Sequence, residues 1–255
     1  MRLSCSLACL QDRPLAEVLP LVRDAGCEAI ELWWPRVQQD LAGSGDAGPQ
    51  FQTLLRASGL RLSGLMVSDM AVFGAAELAD LTAELVRQMR LAQALDAPAV
   101  SLRGGDRRRQ SLEMLVRGLQ AILPAAEELD LIVELANADA SRVEQLEDLR
   151  YVLFQIRHPR LRLLNDTGQF HDACVNPRDA FREFIEQTDA VRIADRRGRQ
   201  PVPLGEGEVN VPAVIEHLQR VGYAGWLVIG PPVPQGMQAG QYLAQSVTYL
   251  RSLVQ

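Results

Sequence analysis

The chain has 255 residues, 47% of them hydrophobic, and a formal charge of -6. That length suits one large domain with a well-covered core. The acidic balance argues against nonspecific nucleic-acid binding, which needs cations to neutralise phosphates. All 26 basic residues are arginine, so Schiff-base lysine and pyridoxal phosphate chemistry are excluded, as is the lysine-dependent phosphate loop.

Taken in chain order, apolar β-rich segments fall at 2–8, 27–33, 60–67, 98–103, 130–136, 161–166, 189–194 and 225–230. Between them lie amphipathic segments near 14–25, 48–58, 76–95, 109–128, 141–157, 177–187, 210–221 and 237–253. In 76–95 the period is plain: Leu78, Leu81, Leu85, Met89 and Ala92 recur every three or four residues, as one helix face requires. Pro177 and Pro212 stand where a helix starts and a missing N–H costs nothing. Gly26, Gly59 and Gly222 stand where helices end. Eight such pairs in this length predict a (β/α)8 TIM barrel, with residues 1–255 as a single domain. The nearly continuous apolar strands fit parallel pairing under helices. No GxGxxG follows the first strand, which disfavours a doubly wound sheet. The stretch LAGSGDAGP, 41–49, is too short for a domain linker and reads as a mobile βα loop.

The N-terminus, MRLSCSLACL, lacks the order of a secretory signal. No apolar run approaches the ~20 residues of a membrane span. Cys5, Cys9, Cys27 and Cys174 are scattered with no CxxC, so inert reduced thiols and a cytoplasmic location are expected.

In such a barrel the chemistry sits at the C-terminal ends of the strands. Those ends carry Glu31, Trp33, Trp34, Ser68, Asp69, Arg103, Glu134, Asn137, Asp166, Gln169, Arg192, Asp195 and Gly230. Of the histidines, only His171 falls near the mouth; His158 and His217 read as surface residues. The arginine runs at 107–109 and 196–199 read as solvated loop charges. LGEG, at 204–207, resembles a phosphate loop only superficially, because Glu206 and Glu208 would repel a phosphate.

The segments AGCEAIELW (25–33), LIVELAN (131–137), LLNDTGQFHDACVNP (163–177), VRIAD (191–195), VPLGEGEVNVPAVIEHL (202–218) and GYAGWLVIG (222–230) resemble the xylose-isomerase-like TIM-barrel superfamily. That group holds sugar and sugar-phosphate isomerases and epimerases, inosose dehydratases and AP-endonuclease-type barrels. The resemblance runs over nearly the whole chain, in order. It implies a divalent metal held by a Glu, an Asp, a His and a Glu at the ends of the last four barrel strands. Glu134 matches the first and Asp166 the second. The usual VHIKD reads VRIAD here, placing Arg192 at the histidine. The usual VIE reads VIG, placing Gly230 at the last Glu. The usual DTGH is altered too, with Gln169 in the histidine's place and His171 two residues on. The remnant Glu134 and Asp166 do not complete a metal site. The only cofactor they allow is a weakly held Mg²⁺, Mn²⁺ or Co²⁺, mostly water-ligated. AP-endonuclease chemistry, which needs several metals and several histidines, does not suit a chain with 3 His.

The charge arithmetic predicts that Arg192 occupies the metal's region and pairs with Glu134 and Asp166. Two functional readings follow. In one, the barrel moves a proton on a small keto-sugar or polyol. Glu134 is the base, Arg192 and Arg103 stabilise the enolate oxygen, and Trp33 and Trp34 face the sugar ring. Asp166 completes the catalytic set, and Gln169, His171 and Asp195 the substrate-binding one. In the other, the barrel is catalytically silent and binds a small anion or a partner protein, with Arg103, Arg192, Arg196, Arg197 and Arg199 as the anion pocket. As bland alternatives, Glu134 and Asp166 are structural partners of Arg192, and the two tryptophans cap the barrel mouth. The partner in either case is a sugar-like or anionic ligand, with no nucleic acid and no membrane. Some barrels of that group dimerise, but no residue here fixes the oligomeric state.

Overall fold

The computed structural model describes residues 1–11, 13–41 and 47–254. In chain order the elements are β1 (Arg2–Ser6), a 3₁₀ turn (Leu7–Leu10), α1 (Leu15–Ala25), β2 (Ala29–Trp33), α2 (Trp34–Leu41), α3 (Ala47–Ser58), β3 (Arg61–Met66), α4 (Ala75–Ala94), β4 (Ala99–Arg103) and α5 (Leu112–Glu128). There follow β5 (Ile132–Ala136), α6 (Leu146–Gln155), β6 (Leu161–Asp166), α7 (Thr167–Asp172), α8 (Pro177–Phe184), a second 3₁₀ turn (Ile185–Gln187) and β7 (Thr188–Ile193). The chain finishes with β8 (Asp195–Arg197), β9 (Gln200–Val202), α9 (Val211–Arg220), β10 (Trp226–Ile229) and α10 (Ala239–Val254). Strands β1, β10, β7, β6, β5, β4, β3 and β2 neighbour one another in that order and close a barrel. This is the eightfold barrel that the alternating segments predict.

Four stretches depart from the expectation; one is α2 (Trp34–Leu41), where no helix was expected. The first strand stops at Ser6, and Leu7–Leu10 turn as a 3₁₀ helix instead of continuing extended. Residues 167–172, expected as loop, form α7, because Asp166 Oδ1 accepts from the Gln169 N–H and caps the helix. Asp166 followed three positions later by Gln169 carries the signature of a helix start. The run at 195–202 is not a loop but an antiparallel hairpin, β8 against β9, with Gly198 at φ +56° in its two-residue turn. Most of the loop expected at 41–49 lies outside the described residues. Gly26, Gly59 and Gly222 all have positive φ, as helix-ending glycines do.

The chain divides into two compact units, Met1–Ser63 with Ala190–Gln255, and Gly64–Asp189. In the first, β1 pairs in parallel with β10 and β2, and β10 pairs with β7. α1 and α10 pack together, and Arg251 donates from Nη2 to the Gly26 carbonyl across them.

In the second unit β3, β4, β5 and β6 pair in parallel. Asp148, at the third position of α6, is the electrostatic hub here. Its side chain is 7% exposed and accepts from Arg107 Nη1 (2.7 Å) and Arg142 Nη2 (2.8 Å). It also accepts the backbone N–H groups of Gln145 and Glu144. Arg107 is thus a structural cation, not a solvated loop charge. Burial pushes the Asp148 carboxyl up, but the Gln145 and Glu144 amides and Arg142 outweigh it and hold it below its ordinary value. Asp148→Asn should therefore lower stability by about 3 kcal/mol at neutral pH, since it unpairs two half-buried cations. A depressed carboxylate stabilises the fold above its unfolded pKa and loses that contribution as pH falls through the lower folded value. Urea melts of the two proteins should thus differ fully above about pH 5 and converge in acid; a gap independent of pH would contradict this.

Candidate functional site

In the first unit the strand register brings five interior positions together. Ser4 stands opposite both Val228 and Ala29, Val228 opposite Arg192, and Ser6 opposite Glu31. Alternation then puts Ser4, Ser6, Glu31, Arg192 and Gly230 on one face of the sheet. That this face is the interior follows from Ser4, whose Oγ meets Ser63 Oγ at 2.7 Å in full burial.

Arg192 is 7% exposed and Glu31 2%. Arg192 Nη2 donates to both oxygens of Glu31, at 2.7 and 2.9 Å. The acid and base are 161 positions apart in sequence, so only the register reveals the pair. One signal was present: Glu31 interrupts an apolar strand, AIELW, and a buried acid needs a cation or dense hydrogen bonding. The charge count that balanced Arg192 against Glu134 and Asp166 left this third carboxylate out.

Gly230 has a steric reason that charge arithmetic did not supply. A Cβ there would overlap Arg192 Cδ and lie 2.6 Å from its Cγ. The arginine stem therefore occupies the space a side chain at 230 would need. The departures at 192 and 230 form one coupled change, since Arg192 in this rotamer leaves room only for glycine at 230.

These residues do not fit a divalent ion. The position that the resemblance gives to a histidine ligand carries a guanidinium, which has no lone pair to donate and repels a cation. The position of the last carboxylate carries no side chain. Among the described residues no group of three or more His, Cys, Asp or Glu is arranged to hold a metal.

Asp195, named above as a substrate contact, serves the chain itself. It is 1% exposed. Oδ1 accepts from Arg196 N (2.8 Å) and Val209 N (3.1 Å), and Oδ2 from Gly205 N and Gly207 N (both 2.9 Å). The amides of the LGEG run are thus aimed at an anion, but the anion is the protein's own carboxylate. A Cβ at Gly207 would collide with Asp195 Oδ1, so the clamp also dictates that glycine. Arg196 is buried, while Arg197 and Arg199 are exposed on the hairpin. Arg197 Nη2 donates to the Glu206 carbonyl and the Gly198 N–H to Glu208. Trp33 is half-buried at the end of β2, two residues from Glu31 and so on the same strand face. Trp34 opens α2 and is 6% exposed, which withdraws it from the surface.

The second unit carries the other strand-end residues. Glu134, 3% exposed, stands in register with Ser101 on β4 and Arg162 on β6. Asp166, also 3% exposed, is gripped by Asn137: the Asp166 N–H donates to Asn137 Oδ1 (2.7 Å) and Asn137 Nδ2 to the Asp166 carbonyl (3.1 Å). Gln169 Oε1 accepts from the Asp139 N–H at 2.9 Å. His171 is half-buried on α7. Two helical residues span about 200°, so it cannot take over the direction of position 169. Arg103 pairs through Nε and Nη2 with both oxygens of Asp69 at 3.0 Å, the side chains 51% and 37% exposed. A pair so exposed contributes little to stability.

A closed parallel barrel with buried, charge-bearing strand ends is the architecture of a class of enzymes that build their sites from loops at one face. The chain belongs to the xylose isomerase-like TIM-barrel family, whose sequence profile matches residues 19–253. A probable endonuclease 4 from Metamycoplasma arthritidis (strain 158L3-1) is 27% identical over 88 residues, which is 33% of this chain and 32% of that protein. The match thus spans about a third of that relative. Among solved structures, the probable 3-DHS dehydratase AsbF of Bacillus anthracis superposes with a TM-score of 0.84 at 16% identity, over 98% of this chain and 99% of that one. The IOLI protein with a bound zinc atom gives 0.82 at 16% identity, over 100% and 98%. The 3-keto-D-glucoside 4-epimerase YcjR of E. coli, in its apo form, gives 0.81 at 13% identity, over 99% of each chain. At such identities the likeness is one of fold. No helix among the described residues is long and apolar enough to cross a membrane.

Proposed function

We propose that this protein is a sugar or sugar-phosphate isomerase/epimerase-like enzyme that moves a proton on a small keto-sugar or polyol without the divalent ion usual in its family. The observation that carries this reading is the buried Glu31–Arg192 pair lying across Gly230. It supplies a fixed cation at a strand end where relatives are expected to place a metal ligand. Glu134 is the base: it takes the proton from the carbon next to the carbonyl, and the bonding electrons move onto the carbonyl oxygen. Arg192 N–H groups stabilise that enolate oxygen. Return of the proton to the same carbon or its neighbour yields epimer or isomer. Asp166 caps α7 and so positions Gln169 and His171, the proposed substrate contacts, and Trp33 offers the sugar an apolar face. A cytoplasmic location is supported by the four free cysteines. The silent-barrel reading is favoured by one observation, that Glu31 already takes Arg192 Nη2 with both oxygens.

The test is deuterium exchange. Keto-sugars and their phosphates are incubated with the protein in D₂O and exchange beside the carbonyl is read by NMR. Exchange is expected, falling by about 10²–10⁴ in Glu134→Gln and unchanged by EDTA. Exchange that survives Glu134→Gln, or that EDTA abolishes, sinks the proposal; no exchange across the panel leaves the silent barrel as the better reading.

A further inference from the structure

A cavity of about 570 Å³ lies over β1 and β10, within the first unit. It is lined by the 3₁₀ turn and following residues on one side and by the segment after Gly230 on the other. Its volume is in the range of small-molecule sites. The polar lining is Gln11, Arg13 and Gln238, with Cys9 beside them, and apolar surface from Met237 and the neighbouring prolines makes up much of the rest. No lining residue described is acidic.

The cavity is built rather than incidental. Arg36 is only 4% exposed and turns its guanidinium on the backbone of one wall, where Nη1 donates to the carbonyls of Leu10 and Gln11, and Nη2 to that of Arg13. It pins the segment that carries Gln11 and Arg13. Among the described residues, the Arg13 guanidinium has no hydrogen bond or ion pair of its own. On the opposite wall Gln238 accepts the Tyr242 N–H and so begins α10, a helix of 16 residues. The first amides of that helix have no intrahelical acceptor, and its first turn carries no acidic residue. A guanidinium, carboxamide donors and a helix N-terminus line one ligand-sized space.

We propose that this cavity binds the oxyanion end, phosphate or carboxylate, of a small metabolite, with Arg13 as its charge partner. The remaining volume and apolar wall take the rest of the ligand. The site shares no residue with the Glu31–Arg192 pair and does not depend on proton transfer, so the two proposals fail separately.

Cys9 lines the cavity and is partly exposed, whereas Cys174 is exposed far along the chain and Cys5 and Cys27 are buried. Alkylation by iodoacetamide, followed peptide by peptide in the mass spectrometer, therefore reads occupancy locally. Inorganic phosphate, against chloride at matched ionic strength, should slow alkylation of Cys9 and leave Cys174 unchanged. Glycerol 3-phosphate should do so at lower concentration. Arg13→Gln should raise the phosphate concentration needed by about tenfold, and Arg13→Lys should retain much of the effect. Arg13 is exposed, so both variants should melt like the parent. The assignment is overturned by no protection of Cys9, by equal protection of Cys174, or by protection indifferent to Arg13→Gln. Inorganic phosphate protecting as well as the ester would overturn the metabolite part and reduce the site to one for a free anion.

Discussion

Replacing Arg192 by methionine should lower the unfolding free energy by about 3–5 kcal/mol, because it leaves the Glu31 carboxylate buried without its cation. In a chain of this size that corresponds to roughly 6–20 °C in melting temperature. Glu31 is 3% exposed in its side chain and Arg192 8%, so neither charge can recover solvation without local unfolding. Glu31→Leu should also destabilise, since the guanidinium then loses its bidentate partner. The double variant should be far better than the sum of the two, with a coupling energy of about 2 kcal/mol. Urea unfolding of the four proteins measures it. Coupling near zero would mean that the pair is geometrically close yet energetically idle. In that event Arg192 would owe its place to something other than Glu31.

Gly230→Glu, which restores the side chain expected from the resemblance, should be harmful alone and sterically accommodated with Arg192→His. Alone, its Cβ falls onto the Arg192 stem. Either the guanidinium is expelled from Glu31 or the backbone shifts, at about 3 kcal/mol for the overpacking. With Arg192→His the obstructing methylenes disappear and a lone-pair donor replaces a cation. Without metal the double variant should still melt below the parent, because Glu31 has lost its cation, and Mn²⁺ should restore much of that loss and bind well above the parent's level by equilibrium dialysis. A double variant that folds and does not gain Mn²⁺ would show that these two positions are not what separates the chain from a metal site.

Much of the barrel was legible in the chain. The eight apolar segments and the helix-ending glycines follow from local rules of backbone conformation and burial, so periodicity and residue type suffice to read them. Two of the elements that went unread hang on a single side chain or turn. α7 depends on Asp166 capping Gln169, and the hairpin on a turn at Gly198. The arginine-rich composition around Gly198 masked that turn as a solvated loop.

The candidate site was legible in part. The acids at the strand ends and the replacements at 192 and 230 stand in the sequence itself. So does the absence of lysine, which removes whole classes of chemistry whatever the fold. Which groups meet is another matter. That Arg192 reaches Glu31, that its stem forbids a side chain at 230, and that Asp195 commits both oxygens to the 205–209 amides were decided by the tertiary structure. Strand register places those positions side by side, and side-chain length then determines which atoms touch. Neither quantity is encoded near the residues concerned, because contacts between residues up to 161 positions apart exist only once the strands have paired.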